Sequence, residues 1–489
     1  MTEPTKPQRN PARKIRWNHL RRFVQIVVLL ALVALIISPA GHDGTRLPRE
    51  LFSQLDPLVG IATIIASRSL LFFGAASVLT LVLTAVFGRV WCGWFCPVGT
   101  LVDLVPARRK GLPTRVIERL RFGKYLTLAI VLGSALAGTL FPMILDPITI
   151  VTRPMQELAM PFLGNDAVGR GAGSYISQAG LGMVAVLSLL PLAIVLGLNA
   201  LGRRTFCRTL CPLGGLLALV SKLPGVRRVV DAQACTSCAR CTQTCPTAAI
   251  DRTDDFASNA AECTACMRCV DRCPSSATSF RPPVARPAVR LAGPSRREAL
   301  ATVVATGAAV GAAFVVPSPQ AEAEILRPLS TSEQRLAELC VRCGACYSAC
   351  PTGSLHPSLS LVSKAGLWTP KVDFPRPVHC TRNCNLCAKV CPTDALHVFT
   401  PEEAAEYDLG QVAHVTKSRC FAWRGHECFK CAPACPIPGA LIDYTERPGS
   451  PVFGEQIRLP WVDAKKCVGC NLCRDACPSR PMRAIGTTV

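Results

Sequence analysis

No Cys-x-x-Cys-His occurs in the 489 residues, so there is no attachment site for a c-type haem. No Gly-x-Gly-x-x-Gly stands in a strand–helix setting and no Walker loop is present, which removes the recognisable cradles for dinucleotides and nucleoside triphosphates. Nothing in the chain marks a site for reducing a terminal substrate. Acidic residues are scarce: 32 Asp and Glu stand against 54 Lys and Arg, a formal charge of +22. With a mean hydropathy of +0.31, that excess is odd for a soluble globule and ordinary for a membrane protein with basic cytoplasmic loops. Nucleic acid is not the expected partner, because the basic residues alternate with apolar segments and no nucleic-acid module is visible. The apolar segments also lack histidines that would hold a haem; His19 lies at the basic end of the first.

Cysteine, by contrast, is abundant. The 28 cysteines fall into eight tight groups, six of four and two of two, with none left over. The disulfide framework of a small secreted domain does not sort itself this way. Composition also shifts along the chain: Leu, Val, Ile and Ala dominate to about residue 200, and most cysteines lie beyond 230.

Five apolar segments read as spans: 23–40, 70–87, 125–145, 179–201 and an Ala/Gly-rich 299–316. Residues 1–22 carry seven Lys and Arg, 88–124 eight and 202–298 fifteen, against three in 41–69 and two in 146–178. The positive-inside rule therefore puts the N-terminus, the 88–124 loop and 202–298 in the cytoplasm. Ser295 opens SRREAL, and PQAEAE ends at Glu324. A twin arginine, an apolar run and a small-x-small site resemble a twin-arginine export signal lodged inside the chain. A plain fifth span predicts the same topology, with residues from about 318 onward outside the cytoplasmic membrane; cleavage after Ala323 stays open.

The first four spans form two copies of one unit. Leu55-Asp56-Pro57 follows the first span and Leu145-Asp146-Pro147 the third; Cys92-x-x-x-Cys96-Pro follows the second and Cys207-x-x-x-Cys211-Pro the fourth. Repeats of this kind bring matching ends side by side, so the four cysteines are expected at one place on the cytoplasmic face. A seventh metal centre, a dithiol/disulfide relay and buried structural cysteines all fit Cys92, Cys96, Cys207 and Cys211. Asp56 and Asp146 read either as turn or cap residues or as acceptors of quinol protons near the outer face; His42 would share that work or stand as a solvated loop histidine.

Four groups keep the spacing Cys-x2-Cys-x2-Cys-x3-Cys-Pro: Cys235, Cys238, Cys241, Cys245; Cys263, Cys266, Cys269, Cys273; Cys340, Cys343, Cys346, Cys350; and Cys467, Cys470, Cys473, Cys477. Two are stretched: Cys380, Cys384, Cys387, Cys391 by one residue, and Cys420, Cys428, Cys431, Cys435 by five. This is the bacterial ferredoxin run for a [4Fe–4S] cluster, three cysteines closing a loop on one cubane while the fourth ligates another. The fourth, followed by proline, is expected to open a short helix. Six clusters follow. In the first pair, Cys235, Cys238 and Cys241 take Cys273, and Cys263, Cys266 and Cys269 take Cys245. The last four groups pair either as neighbours or nested, and the stretched pair in the middle favours nesting.

The four spans, the twin Cys-x-x-x-Cys-Pro motifs and the first two-cluster module resemble the quinol-dehydrogenase membrane subunit of periplasmic nitrate reductase systems (NapH type). The leader and the four later groups resemble its exported ferredoxin partner (NapG type). The resemblance implies quinol oxidation from the membrane quinone pool, with electrons passing through the clusters to a periplasmic nitrate reductase, directly or through a c-type cytochrome. The expected architecture is an α-helical membrane domain of four to five spans with internal duplication, plus small α+β ferredoxin-like modules, in a bacterial inner membrane. Its parts are 1–222, the four-span domain; 223–290, the cytoplasmic two-cluster module; 291–323, the leader or fifth span; and 324–489, the periplasmic four-cluster domain. The alternative from another class is a maturation or maintenance factor, similar to regulators of nitrous oxide reduction, supplying electrons for assembly or reactivation of a periplasmic metalloenzyme.

Overall fold

The computed structural model describes residues 16–37, 51–69, 74–105, 120–159, 179–223, 225–282, 331–359, 366–372, 380, 384–400, 412–443, 459–480 and 482–488, with single residues at 116, 300, 304, 306–308, 311 and 328. His42 and, save for those single residues, the leader and fifth span expected over 291–323 lie outside the described residues.

Helix α1, Trp17–Ile37, runs for 21 residues without Gly or Pro, about 30 Å at the helical rise, which matches a hydrocarbon layer. Among the described residues it is the one helix long and apolar enough by that measure to cross a membrane. The segments expected as the second and third spans are shorter: α3 is Ala75–Phe87 and α5 is Gly123–Leu136. Glycines set these limits. Gly88 ends α3 at φ +72° and Gly138 follows α5 at φ +71°, left-handed conformations that side chains resist. After α5 the chain turns back through a 3-10 turn, Phe141–Leu145. Helix α7, Ala179–Leu201, coincides with the fourth expected span and carries Pro191 inside it.

Two further apolar helices stand where connections were expected. Helix α2, Pro57–Ser67, and α6, Pro147–Ala159, each start on the proline of a Leu-Asp-Pro. Proline at the first helical position lacks an N–H that would be unpaired there anyway, and the preceding aspartate accepts the next free N–H groups. Helices α4, Pro97–Leu104, and α8, Pro212–Val220, likewise start after Cys96 and Cys211. The halves α1–α4 and α5–α8 interlock rather than sit apart: α1 packs on α6 as α5 packs on α2, α4 on α6 as α8 on α2, and α7 on α4 as α3 on α8.

The cysteine-rich regions form small modules, each closed by antiparallel ribbons of three or four residues per strand. β1 (Arg227–Val230) pairs with β2 (Thr278–Arg281), β3 (Leu355–Pro357) with β4 (Pro370–Val372), β5 (Val412–Val415) with β8 (Ile485–Thr488), and β6 (Leu441–Asp443) with β7 (Pro460–Val462). Ribbons this short are marginal alone, so cluster ligation and docking must supply much of the order.

The 227–281 module docks on one end of the helical unit. Lys124 Nζ lies 2.5 Å from Glu262 Oε1, Trp94 Nε1 donates to Ala265 O (3.0 Å), and Arg89 donates to Ala261 O (2.9 Å). Asp103 gathers Arg21, Arg204 and Arg268 at 2.7, 2.9 and 3.4 Å, joining α1, α4, the fourth-span end and the module. Burial pushes its carboxyl up, but Arg204, then Arg268 and Arg21, outweigh that and hold it well below the usual range.

The 331–399 module docks on the other end. Helix α9, Glu333–Leu339, packs on α2. Leu140 N donates to Ala337 O (3.1 Å), Arg153 donates to Arg342 O (2.9 Å), and the Arg153 guanidinium stacks 4.3 Å over Trp368. Val341, Cys343 and Ala345 join the apolar core of the helical unit itself. Lys124 at the start of α5 thus touches one module, and Leu140, just past its end, touches the other; the 14 residues of the helix span about 20 Å.

Candidate functional site

The four unbroken motifs share one backbone shape. The residues before and after the second cysteine take positive φ: Ser237 and Ala239, Ala265 and Met267, Arg342 and Gly344, Gly469 and Asn471. Such alternation aims successive N–H groups into a concavity of the kind that holds anions and iron–sulfur clusters. Six of these eight residues have side chains that disfavour the conformation by roughly 1–2 kcal/mol, so an enclosed anionic group is what justifies it. The third cysteine then lies in a one-turn helix (Arg240–Thr244, Arg268–Arg272, Ala345–Ala349, Leu472–Ala476) that ends at the fourth. The helix expected after the fourth cysteine therefore lies before it, because Cys-Pro cannot continue the turn.

The fourth ligands are exchanged between motifs. Cys273 neighbours Cys238, and Cys245 neighbours Cys263 and Cys269, as the spacing predicts. Cys340, Cys343, Cys346 and Cys391 line one cavity, and Cys435, Cys467, Cys470 and Cys473 another. Cys350 stands beside Cys380, Cys384 and Cys387, and Cys477 beside Cys420 and Cys431. The last four motifs thus pair as neighbours, third with fourth and fifth with sixth. The nesting that the stretched motifs favoured is not what the chain does: the insertions lengthen a loop without changing which fourth cysteine returns. The two halves meet where Cys380 N donates to Cys470 O (3.1 Å), placing one set of each half at their contact.

Hydroxyls two residues past the fourth cysteine are a feature the motif reading missed. Thr247 lies 3.6 Å from Cys245 Sγ, Ser275 3.7 Å from Cys273, Thr352 3.5 Å from Cys350, and Thr393 3.9 Å from Cys391. A recurrent Cys-Pro-Thr/Ser could have revealed them. Hydroxyl and N–H donors at a ligand sulfur tune the potential of the cluster it holds.

The four remaining cysteines do converge. Cys92 lies in the turn Trp91–Phe95 and Cys207 in Thr205–Thr209, while Cys96 and Cys211 precede α4 and α8. Burial pushes the Cys96, Cys207 (to about 11) and Cys211 thiols up, and neighbouring cysteines of the four add to it. Arg89 reaches toward Cys92 Sγ (4.0 Å) and feels Cys211 and Cys207. Gly214 N donates to Cys211 Sγ (3.2 Å). The glycine of each Cys-Pro-x-Gly is required by space: a Cβ at Gly99 would stand 2.7 Å from Cys92 O, and one at Gly214 2.9 Å from an Arg89 nitrogen. None of the four is in a disulfide, and no three His, Cys, Asp or Glu among the described residues are spaced for a single metal ion.

At the opposite end of α5, Asp56 and Asp146 are brought together. Both are fully buried. Asp56 Oδ1 accepts from Leu58 N (2.7 Å) and Val59 N (3.4 Å), and Asp146 Oδ2 from Ile148 N (2.9 Å) and Thr149 N (3.0 Å). The cap reading of both is correct, and the two carboxyls stand close enough to act on each other's charge. His19 is exposed at the start of α1.

Comparison with known proteins adds the following. Two stretches, 69–115 and 184–229, match a family described as a 4Fe-4S binding domain; each contains a Cys-x-x-x-Cys-Pro. Residues 227–285 match a 4Fe-4S dicluster domain, and 335–356 and 460–482 match another 4Fe-4S binding domain. The chain is 33% identical over 191 residues to the methylamine utilization ferredoxin-type protein MauM of Paracoccus denitrificans, covering 37% of this chain and 83% of that protein. It is 26% identical over 241 residues to the ferredoxin-type protein MauN of Methylorubrum extorquens, covering 47% and 75%. With the putative electron transport protein YccM of Escherichia coli it shares 30% over 176 residues, 34% and 43% of the two. No solved structure matches.

Proposed function

Because the chain belongs to the ferredoxin-type family of the MauM proteins, we propose that it is a membrane-bound carrier that oxidises a hydroquinone and delivers the electrons through six [4Fe–4S] clusters to an exported redox enzyme. Electron transfer by several [4Fe–4S] clusters is the part its family matches carry. The observation that supports the rest is the docking of two cluster modules on opposite ends of one interlocked helical unit. Bound clusters supply one-electron storage; the protein spaces them, excludes water and sets which cysteine serves which cluster.

The helical unit is apolar outside as well as in its core. Phe23, Leu30 and Val186 are 65%, 62% and 63% exposed, while Thr63, Ser77, Thr84, Ser134 and both aspartates are buried. An apolar rim around a core that also holds buried polar groups suits a hydrocarbon surround, which supports several crossings of a bacterial inner membrane with 227–281 cytoplasmic and 331–488 periplasmic. Electrons would leave toward the periplasm through the Cys340 set, then the Cys380, Cys467 and Cys420 sets in spatial order. The nitrate reductase of the sequence resemblance is one such acceptor; the names of the MauM and MauN relatives attach related proteins to methylamine utilization. The Cys92, Cys96, Cys207 and Cys211 site is proposed as a seventh centre, with the 263–273 loop against it.

The position of the 227–281 module favours one second reading, electron entry from a cytoplasmic donor for assembly or reactivation of an exported metalloenzyme. The test is anaerobic reduction of the purified full chain. Bleaching of the clusters by duroquinol supports the dehydrogenase; bleaching only by a soluble low-potential donor supports the second reading.

A further inference from the structure

Asp56 and Asp146 occupy equivalent places in the two halves, each at the start of an apolar helix, α2 and α6. One oxygen of each is used by its own cap. The others, Asp56 Oδ2 and Asp146 Oδ1, are buried without a hydrogen-bond partner, and the two carboxyls stand close enough to act on each other's charge. Two charges this close and this buried cannot both persist.

Among the described residues, no cation is paired with either carboxyl to neutralise a second charge. On the flanking helix α3, Ser77 and Thr80 turn their hydroxyls to the carbonyls of Gln54 and Leu55. The charged groups on the elements packed around the pair are engaged elsewhere: Arg153 with Arg342 O, Glu157 with Ser188, Lys124 with Glu262, and Arg21 with Asp103. Glu333, Arg335 and Glu338 lie on α9, where Arg335 pairs with Asp394 and Glu338 with Gln334. Meanwhile the free N–H groups of two helix starts favour retention of one negative charge at the pair. The balance of these effects is one proton and one charge.

We infer that Asp56 and Asp146 form a single-proton carboxyl–carboxylate dyad, the buried base that takes the protons of a hydroquinone one at a time. The proposal rests on the quinol reading above and deepens it. The hydroquinone would lose two electrons, which two oxidised [4Fe–4S] clusters held by the cysteine sets would take up one each, and two protons. The first proton goes to the carboxylate of the dyad and is released to bulk water before the second follows, and the quinone departs. The cap geometry gives the dyad its position; the 331–399 module, docked on α2 and α6, gives the electrons a nearby exit.

The test uses the cluster-loaded full chain in detergent, in a Glu157→Gln background so that no other buried carboxyl of this end contributes. Infrared spectra at neutral pH should show one protonated-carboxyl band that shifts in heavy water and is lost in Asp56→Asn and in Asp146→Asn. Asparagine caps helices as well as aspartate, so both variants should keep their iron and be reduced normally by dithionite. Their reduction by duroquinol should be at least about 100-fold slower, the usual worth of a positioned base. Absence of the band in the parent, or duroquinol reduction of both variants at the parent rate, overturns the dyad while leaving the quinol reading intact. A parent that shows the band but is never reduced by duroquinol overturns the quinol reading, and the dyad's role as its acceptor with it.

Discussion

Glu157 shows how a single residue can tie docking to pH. It lies on α6 facing the 331–399 module, accepting a hydrogen bond from Ser188 (2.8 Å) and standing near Tyr347. Burial pushes its carboxyl up to about 7, against the lowering influence of Ser188, Arg153 and Tyr347. A raised acid binds its proton more tightly when folded, so its contribution is full below the ordinary glutamate value of about 4.3 and is lost as pH climbs to about 7. Thermal unfolding followed by circular dichroism should therefore fall less over that window in Glu157→Gln than in the parent. Equal slopes would show that the group is not buried as described. Gly93 works by space alone: a Cβ there collides with Thr264 O of the docked 227–281 module. Gly93→Ala should make the module accessible to limited proteolysis while its iron content stays normal.

At the scale of elements, the start of each short helix does two jobs. The Cys-Pro and Asp-Pro dipeptides both stop one segment and start the next at a fixed proline, placing the preceding side chain in the interior. The halves then interlock, so equivalent caps from both copies meet. Gly99→Ala should destabilise the fold by about 1–3 kcal/mol, the usual cost of overpacking, because the clash is with backbone; a denaturant midpoint unchanged from the parent would refute the contact. The exchange of fourth cysteines makes a sharper forecast. Cys391→Ser should perturb the electron paramagnetic signal of the Cys340 set, and Cys350→Ser that of the Cys380 set. The nested arrangement would move neither in that pattern.

For the whole molecule, the decisive matter is which modules share a compartment. Reporter fusions at residue 280 and residue 400 should report opposite sides of the membrane, and identical sides would end the proposed topology. Iron analysis of anaerobically purified protein should give about 24 atoms per chain, four per cluster, rising towards about 28 with a centre at Cys92, Cys96, Cys207 and Cys211. The double change Cys92→Ser with Cys207→Ser should remove that increment and nothing else. If iron and spectra stay the same, the four thiols are structural.

The cysteine spacing alone determined the cluster chemistry and the exchange of ligands in the first module, because a cubane needs its sulfurs at short fixed intervals and a tight loop carries that geometry wherever it is placed. Internal repetition determined that Cys92 and Cys96 would meet Cys207 and Cys211. Other points depended on contacts between distant segments. Short apolar helices after Leu-Asp-Pro were not legible, since periodicity cannot distinguish a capped helix of 11 or 13 residues from a turn in an outer connection. Neighbour pairing of the later motifs was equally hidden, because loop insertions say nothing about which strand returns beside which. Only the tertiary structure decided that Asp56 and Asp146 share one buried place: a carboxyl group's chemistry depends on what faces it, and what faces it here is contributed by a residue 90 positions away.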